Sequence, residues 1–375
     1  MTVGLVHELT ARIRRGGPLT FAAFMHAALY DPEHGYYAAH QPGHGGHYAT
    51  SSSVSPWFGR LLARELAGIW EALGCPDPFT VLEVGAGQGD LAAEALQEAF
   101  AWPVADALRW RFVERFAPVR DLQHARLGAL AERSAWTPAL GDGSPVTGCL
   151  LANEVLDNFP VHVLEKARGE VGEVYVDADG RGLYECLGPL SCADLAAPAV
   201  AAAPHLHEGD RMEVCPAFES WWQEASGALQ QGMVLVLDYG DVEPDIWHRG
   251  PTGTLATYGP AGRGQAPLEA PGHQDITADV NFSAVIRAAR HAGFHHPALT
   301  TQRLFLLSIG LGEVVDALAE QVWRAAACGW HGQAEVLEGE AEAAAALAAE
   351  GGLGDILVFR ATKGDIAMPR SGGEA

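Results

Sequence analysis

The chain reads as an α/β protein built on a doubly wound, mostly parallel sheet with an antiparallel closing strand. Short apolar runs alternate with helical stripes, the pattern of βαβ units. One such run, Phe79 to Val84, passes into Gly85-Ala86-Gly87-Gln88-Gly89-Asp90 and then into a stripe of Leu91, Ala95, Leu96 and Phe100. Nearly half of the 375 residues are hydrophobic, enough for a full α/β domain and a sizeable accessory part.

Taken in order, residues 1–55 are expected to form a helical segment reaching Tyr30, stopped at Asp31-Pro32, followed by a loop rich in Gly, His and Ser. Ser55 and Pro56 mark a helix start, and Trp57, Phe58, Leu61, Leu62, Leu66, Ile69, Trp70 and Leu73 recur at helical spacing, a stripe suited to packing on the sheet. Core strands are expected at Val81–Val84, Trp110–Val113, Cys149–Ala152 and Met233–Asp238, with His295–Ser308 and Asp355–Thr362 as a closing pair. Residues 56–160 are the first part of the core, and 161–210 an inserted β-rich lobe over the active site, with Pro189–Pro204 as a connecting segment. Residues 211–365 complete the core around an alanine-rich helical insertion at 311–350, and 366–375 have a disordered composition.

The glycine loop is the main functional signal, because glycines at a strand-to-helix turn let the backbone approach a ligand that a Cβ would exclude. The spacing is Gly-x-Gly-x-Gly, and Asp90 occupies the sixth position, where a dinucleotide fingerprint needs its last glycine. Glu83, inside the motif, would repel a pyrophosphate but could hold an ammonium. Glu114, closing the next strand, is placed to accept both hydroxyls of a ribose. A ribose beside a cation describes S-adenosylmethionine better than NAD, which needs amides facing a dianion. A structural turn with a surface glutamate is the plainer alternative.

Several segments carry a family resemblance. Phe24-Met25, Ala28 to Pro32 and Gly35-Tyr36-Tyr37 resemble the amino-terminal signature of the MidA-like methyltransferases, which include the mitochondrial complex I assembly factor. The resemblance continues through Gly46 to Ser51, Phe58-Gly59, the glycine loop, Ala152 to Pro160, Asp238-Tyr239-Gly240, Gly253-Thr254-Leu255, Gln274 to Thr277, and Gln302 to Gly310. It implies a class I, Rossmann-like, S-adenosylmethionine-dependent methyltransferase, and for the mitochondrial members an arginine of a respiratory complex I subunit as methyl acceptor. Two positions depart from the pattern: His47 stands where an acidic residue is common, and Ala256 follows Gly253-Thr254-Leu255 where a basic residue is expected.

In that fold, chemistry sits at the carboxyl ends of the fourth and fifth strands. The candidates are Asn153, Glu154 and Asp157 with Asp238 and Tyr239. Carboxylates there could grip a guanidinium, orient one nitrogen and take the proton afterwards. Gly85, Gly87 and Gly89 are expected to admit the cofactor, Glu83 to hold its amino-acid end, Glu114 its ribose and Asp142 its adenine, with Asn153 facing the methyl group. Tyr36 and Tyr37, with the Gly46–Ser51 loop including Thr50 and Ser51, are expected to act as a lid. Asp275 and Thr277 are candidates either for the acceptor pocket or for capping. His34, His40, His44 and His47 are too irregularly spaced for a metal site.

With 47 acidic against 24 basic residues, a nucleic-acid partner is disfavoured and a basic protein segment favoured, although acidity can also serve solubility alone. Six scattered cysteines suggest neither zinc nor disulfides. No apolar stretch could span a bilayer and no apolar signal core precedes Gly17, so no membrane insertion and a cytoplasmic location are expected. A homodimer stays open. The rival functions are a non-catalytic, cofactor-binding assembly scaffold and a methyltransferase for a small molecule or nucleic-acid base. Glu154 and Val155 replace the prolines of the base-methylating motif, which weakens the last.

Overall fold

Seven strands form one sheet: β1 (Phe79–Val84), β2 (Leu108–Val113), β3 (Ser134–Thr137), β4 (Val146–Asn153), β5 (Leu229–Asp238), β6 (His295–Thr301) and β7 (Leu357–Lys363). The computed structural model describes residues 3–39, 50–260 and 262–366. The sheet order is β3-β2-β1-β4-β5-β7-β6, with β1 to β5 parallel and β7 antiparallel to both β5 and β6. The expected doubly wound sheet with an antiparallel closing strand is therefore present. The order reverses between β1 and β4, and a ligand crevice opens at the carboxyl ends of the strands at such a switch point.

Alternation along the strands sends Val81, Trp110, Phe112, Leu151, Leu235 and Val358 to one face. There they join Phe58, Leu61, Leu62 and Ile69 of the helix Pro56–Ala72, and Leu311, Val314 and Leu318 of the helix Leu311–Ala327. The opposite face is also buried: Trp222 meets the rings of Phe359 and Phe294 edge-on. Strands covered on both sides read as continuous apolar runs, which is why they stand out in the sequence. Ser55 caps the helix at Pro56 as expected, accepting from Trp57 N.

One boundary and one strand differ from expectation. The run His295–Ser308 is a strand only as far as Thr301, whose hydroxyl caps the helix Gln302–Ser308. An apolar run cannot by itself distinguish strand from helix, and the cap decides here. β3 went unrecognised because four residues around one tryptophan carry little periodicity.

The chain divides into two compact units. One comprises the described residues of Met1–Tyr48, Val155–Trp221 and Gly240–Ala288; the other, which holds the seven-stranded sheet, comprises those of Ala49–Glu154, Trp222–Tyr239 and Ala289–Ala375. Residues 240–288, placed with the core in the sequence reading, group with the first unit. That unit contains an antiparallel sheet in the order Leu19–Thr20, Glu170–Asp179, His162–Ala167, Arg211–Val214, with Gly182–Gly188 also on Glu170–Asp179. Helices Val3–Gly16 and Phe21–Tyr30 contribute Leu5, Leu9, Phe21, Phe24 and Met25 to its core against Val163, Val174 and Val176. Pro189–Pro204, expected as a plain connection, includes the short helix Ala196–Ala202. The tail from 367, His40, His44, His47 and the lid residues 46–49 lie outside the described residues.

Candidate functional site

The glycine loop turns sharply between β1 and the helix Asp90–Ala99. Gly85, Gly87 and Gly89 have φ of 65°, 53° and 86°, a region that L side chains rarely adopt. Gln123 braces the loop: its Nε2 donates to Gly87 O at 2.9 Å, and its Oε1 accepts from Trp136 Nε1 at 2.9 Å. The sequence reading passed over Gln123. A signal existed, since Gln123 falls between Val119 and Leu127 on the buried stripe of the helix Ala117–Leu127, where an amide needs partners.

Glu83 is only 2% exposed, and its Oε2 accepts from the Trp110 indole at 2.8 Å. Burial pushes its carboxyl up to about 8, against the lowering effect of that hydrogen bond. The sign of the resulting pH dependence follows. A raised carboxyl binds a proton in the folded chain that the unfolded chain releases above about 4.5, so this contribution to stability is full below 4.5 and declines up to about pH 8. Thermal unfolding of the cofactor-free protein should therefore show a lower Tm at pH 8 than at pH 5.5, with a shallower decline in Glu83→Gln. Parallel Tm curves for the two chains would remove the assignment.

Glu114 is buried at the end of β2, with Oε1 accepting from Phe116 N at 2.8 Å; burial raises its carboxyl. Asp142 lies exposed in the loop after β3, and its Oδ2 accepts from Ala139 N at 3.1 Å.

At the end of β4, Glu154 has φ of 53°, an unusual backbone for a glutamate, held by a 2.8 Å bond from its N to Leu237 O of β5. Its Oε1 accepts from Ser51 N at 2.9 Å and from Asn153 Nδ2 at 3.3 Å, and burial pushes its carboxyl up to about 7. Asn153 Oδ1 is buried without a hydrogen-bond partner, an acceptor suited to a ligand N–H or O–H. Behind Ser51, the hydroxyl donates to Gln302 Oε1 at 3.1 Å and Gln302 Nε2 donates to Leu347 O at 2.9 Å. Thus a residue 251 positions away in sequence supports the one that holds Glu154. Thr50 caps the short helix that begins at Ser51. Asp238 closes β5 fully buried, its Oδ1 accepting from Tyr239 N at 2.9 Å, while the Tyr239 side chain is exposed.

Asp157 and Tyr37, expected at the same site, belong to the first unit. There Tyr37 donates its hydroxyl to Asp275 at 3.0 Å, and Asn158 Nδ2 donates to Asp275 Oδ1 at 3.0 Å. Asp157 O accepts from Ala278 N at 2.9 Å. Tyr36, also expected in the lid, is buried, with its phenol pushed up to about 12 by burial and then by Asp275. The amino-terminal signature has its own local reason. Asp31 Oδ1 accepts from Glu33 N and His34 N, and a side chain at Gly35 would stand 2.5 Å from Asp31 N.

The cofactor expected from the sequence fits this second unit: three left-handed glycines leave the loop backbone open, an acceptor carboxylate ends β2, and an unpartnered amide oxygen ends β4. A family model described as "Putative S-adenosyl-L-methionine-dependent methyltransferase" matches residues 61–300. The chain belongs to that family. It is an S-adenosylmethionine-dependent methyltransferase, as the glycine spacing and Glu114 predicted.

A solved structure of a Burkholderia thailandensis protein bound to S-adenosyl-homocysteine is 29% identical, with a TM-score of 0.87, and the match covers 99% of this chain and 94% of that one. Mouse "Protein arginine methyltransferase NDUFAF7, mitochondrial" is 29% identical over 84% of this methyltransferase and 76% of its own length. The human protein of that name is 30% identical over 76% and 69%. These names overturn the cytoplasmic location expected from the sequence, because the similar curated proteins are mitochondrial. The expectation rested on hydropathy, which reports membrane crossing and says nothing of compartment; among the described residues no helix is long and apolar enough to cross a membrane.

Proposed function

We propose that this methyltransferase acts on an arginine of a protein partner, and that the partner class is the one the family resemblance implies, a respiratory complex I subunit. The observation that carries the reading is the Glu154 carboxylate. It is oriented by Ser51 N and Asn153 Nδ2 at the end of β4, beside an unpartnered amide oxygen. The arginine methyltransferase names of the relatives point the same way.

When bound, S-adenosylmethionine supplies an electrophilic methyl on its sulfonium. Gly85, Gly87 and Gly89 would admit it, Glu83 would serve its amino-acid end, Glu114 would accept from its ribose hydroxyls, Asp142 would serve the adenine, and Asn153 Oδ1 would offer an acceptor at the end of β4. Glu154, aided by Asp238, holds guanidinium N–H groups, offsets the positive charge that grows during transfer and takes the released proton. Tyr239 would bound the acceptor, and Thr50 and Ser51 would cover the site.

Calorimetric titration with S-adenosylmethionine tests the cofactor half. Glu114→Ala should weaken binding by ~1.5–3 kcal/mol, the worth of hydrogen bonds to a charged group. An unchanged affinity would remove the ribose role. For the acceptor half, an arginine-containing segment of the partner should gain one or two methyl masses, and its lysine counterpart none; methylation of both alike would sink the arginine assignment.

A further inference from the structure

The glycine loop and Glu114 lie on different elements, and the short strand β3 is tied to both. At its end, Thr137 O accepts from Glu114 N at 2.9 Å, which fastens the end of β2 to its neighbour. One residue earlier, Trp136 stacks on Phe112 of β2, with ring centroids 5.2 Å apart and planes 14° from parallel. The same tryptophan donates its indole N–H to Gln123 Oε1, and Gln123 Nε2 donates to Gly87 O, both at 2.9 Å. A continuous set of contacts therefore runs from the end of β2, through β3 and the helix Ala117–Leu127, to the glycine loop.

The partners leave the Gln123 amide one orientation. An indole nitrogen only donates and a peptide carbonyl only accepts, so the amide oxygen must face Trp136 and the amide nitrogen must face Gly87. Gln123 is fully buried, where exchanging its two ends would leave both neighbours unpaired. It also packs beneath the loop, since a Cβ on Gly89 would stand 3.6 Å from the Gln123 Cα and Cγ. Glycine has no intrinsic preference that would hold Gly87 at its φ of 53°, so the restraint on that peptide comes from outside the loop. A trans peptide points its N–H opposite its C=O, and holding Gly87 O toward Gln123 therefore also sets the direction of the N–H that follows.

We propose that Gln123 and Trp136 are positioning residues for S-adenosylmethionine: they hold the Gly87 peptide in a fixed relation to Glu114, so that loop and carboxylate engage one ligand together. Neither side chain needs to touch the cofactor. A loop ordered before the ligand arrives loses less freedom on binding, which raises affinity. This inference rests on the reading that the glycine loop and Glu114 hold the cofactor, and it adds what keeps those two elements aligned.

The test is calorimetric titration of the full chain with S-adenosyl-homocysteine. Gln123→Met keeps the length of the side chain, removes both hydrogen bonds and should weaken binding by ~10-fold or more. Trp136→Phe keeps a ring on Phe112 but deletes the donor, and should weaken binding in the same direction; it decides the point if Gln123→Met fails to fold. Gln123→Glu supplies the rescue. At pH 5.5 a carboxyl buried at this position is protonated, accepts from Trp136 and donates to Gly87 O, so it should bind within about threefold of the wild-type chain. Nearby Asp90 and Glu94 already share Arg126, at 2.6 and 3.7 Å, and His124 lies beside Trp136 with ring centroids 5.5 Å apart, so every variant is compared with the wild-type chain at the same pH. A merely structural glutamine would give no such rescue. Full affinity in Gln123→Met or Trp136→Phe, or Gln123→Glu binding no better than Gln123→Met, would overturn the assignment. Failure of the cofactor-site reading would look different: Gly87→Ala and Glu114→Ala would bind as tightly as the wild-type chain. If those two weaken binding and the Gln123 variants do not, the positioning role alone falls.

Discussion

Glu154→Gln is expected to lower kcat/KM for methyl transfer by ~10²–10⁴-fold, the range associated with a positioned acid or base, while the affinity for S-adenosylmethionine changes by less than about threefold. Gln keeps the length and planarity of the side chain and can still accept from Ser51 N, so the local backbone should persist. What is lost, on the proposed function, is the charge that would grip a guanidinium and the site that would take its proton. The pH profile gives a second, independent readout. With the Glu154 carboxyl raised to about 7 by burial, the carboxylate that can accept a proton becomes populated only as pH rises through that value. kcat/KM of the wild-type chain should therefore climb between about pH 6 and 8 and level off above, because that quantity reports the free enzyme. Radiometric transfer assays on both chains, paired with calorimetry, decide the matter. Transfer that survives in Glu154→Gln with an unaltered pH profile would move the chemistry elsewhere, with Asp238 the next carboxylate to test.

A large loss of stability is expected from a position with no chemical role. Gly148 in β4 lies against Thr80 of β1, and a Cβ built on it would fall 1.9 Å from Thr80 O. On the other side, a Cβ on Gly232 of β5 would fall 1.9 Å from Gly148 O. The obstacle in each case is backbone inside a parallel sheet, so no flexible side-chain end can yield. Gly148→Ala should cost ~3 kcal/mol or more, the upper end of overpacking penalties, and lower Tm by ~5 °C or more. A differential scanning measurement checks it, and an unchanged Tm would mean that β1 and β4 can separate at this point without loss.

The strands that carry cofactor and chemistry were legible because each is buried on both faces and therefore spelled as an unbroken apolar run. The glycine loop was legible because only glycine tolerates its backbone. Glu83, Glu114 and Glu154 could be singled out as charged residues at the ends of such runs. Their environments could not. Trp110 is adjacent to Glu83 only because β2 pairs with β1, and Gln302 reaches Ser51 only because the chain returns after 251 residues. Local pattern has no access to such pairings.

The same division explains the misses. His295–Ser308 is apolar throughout, and periodicity alone could not show that it ends as a helix capped by Thr301. Asp157 and Glu154 are three residues apart in the chain yet belong to different compact units, since Val155 begins a segment that builds another sheet. The aromatic ring of Tyr37 is visible in the sequence, but the bond from its hydroxyl to Asp275, 238 positions away, is not. Residue chemistry and local backbone preference thus settled the sheet and the cofactor, since those depend on short-range pattern. Which carboxylates are enclosed and what orients them were decided by tertiary structure, because burial and hydrogen bonding are properties of groups brought together from distant parts of the chain.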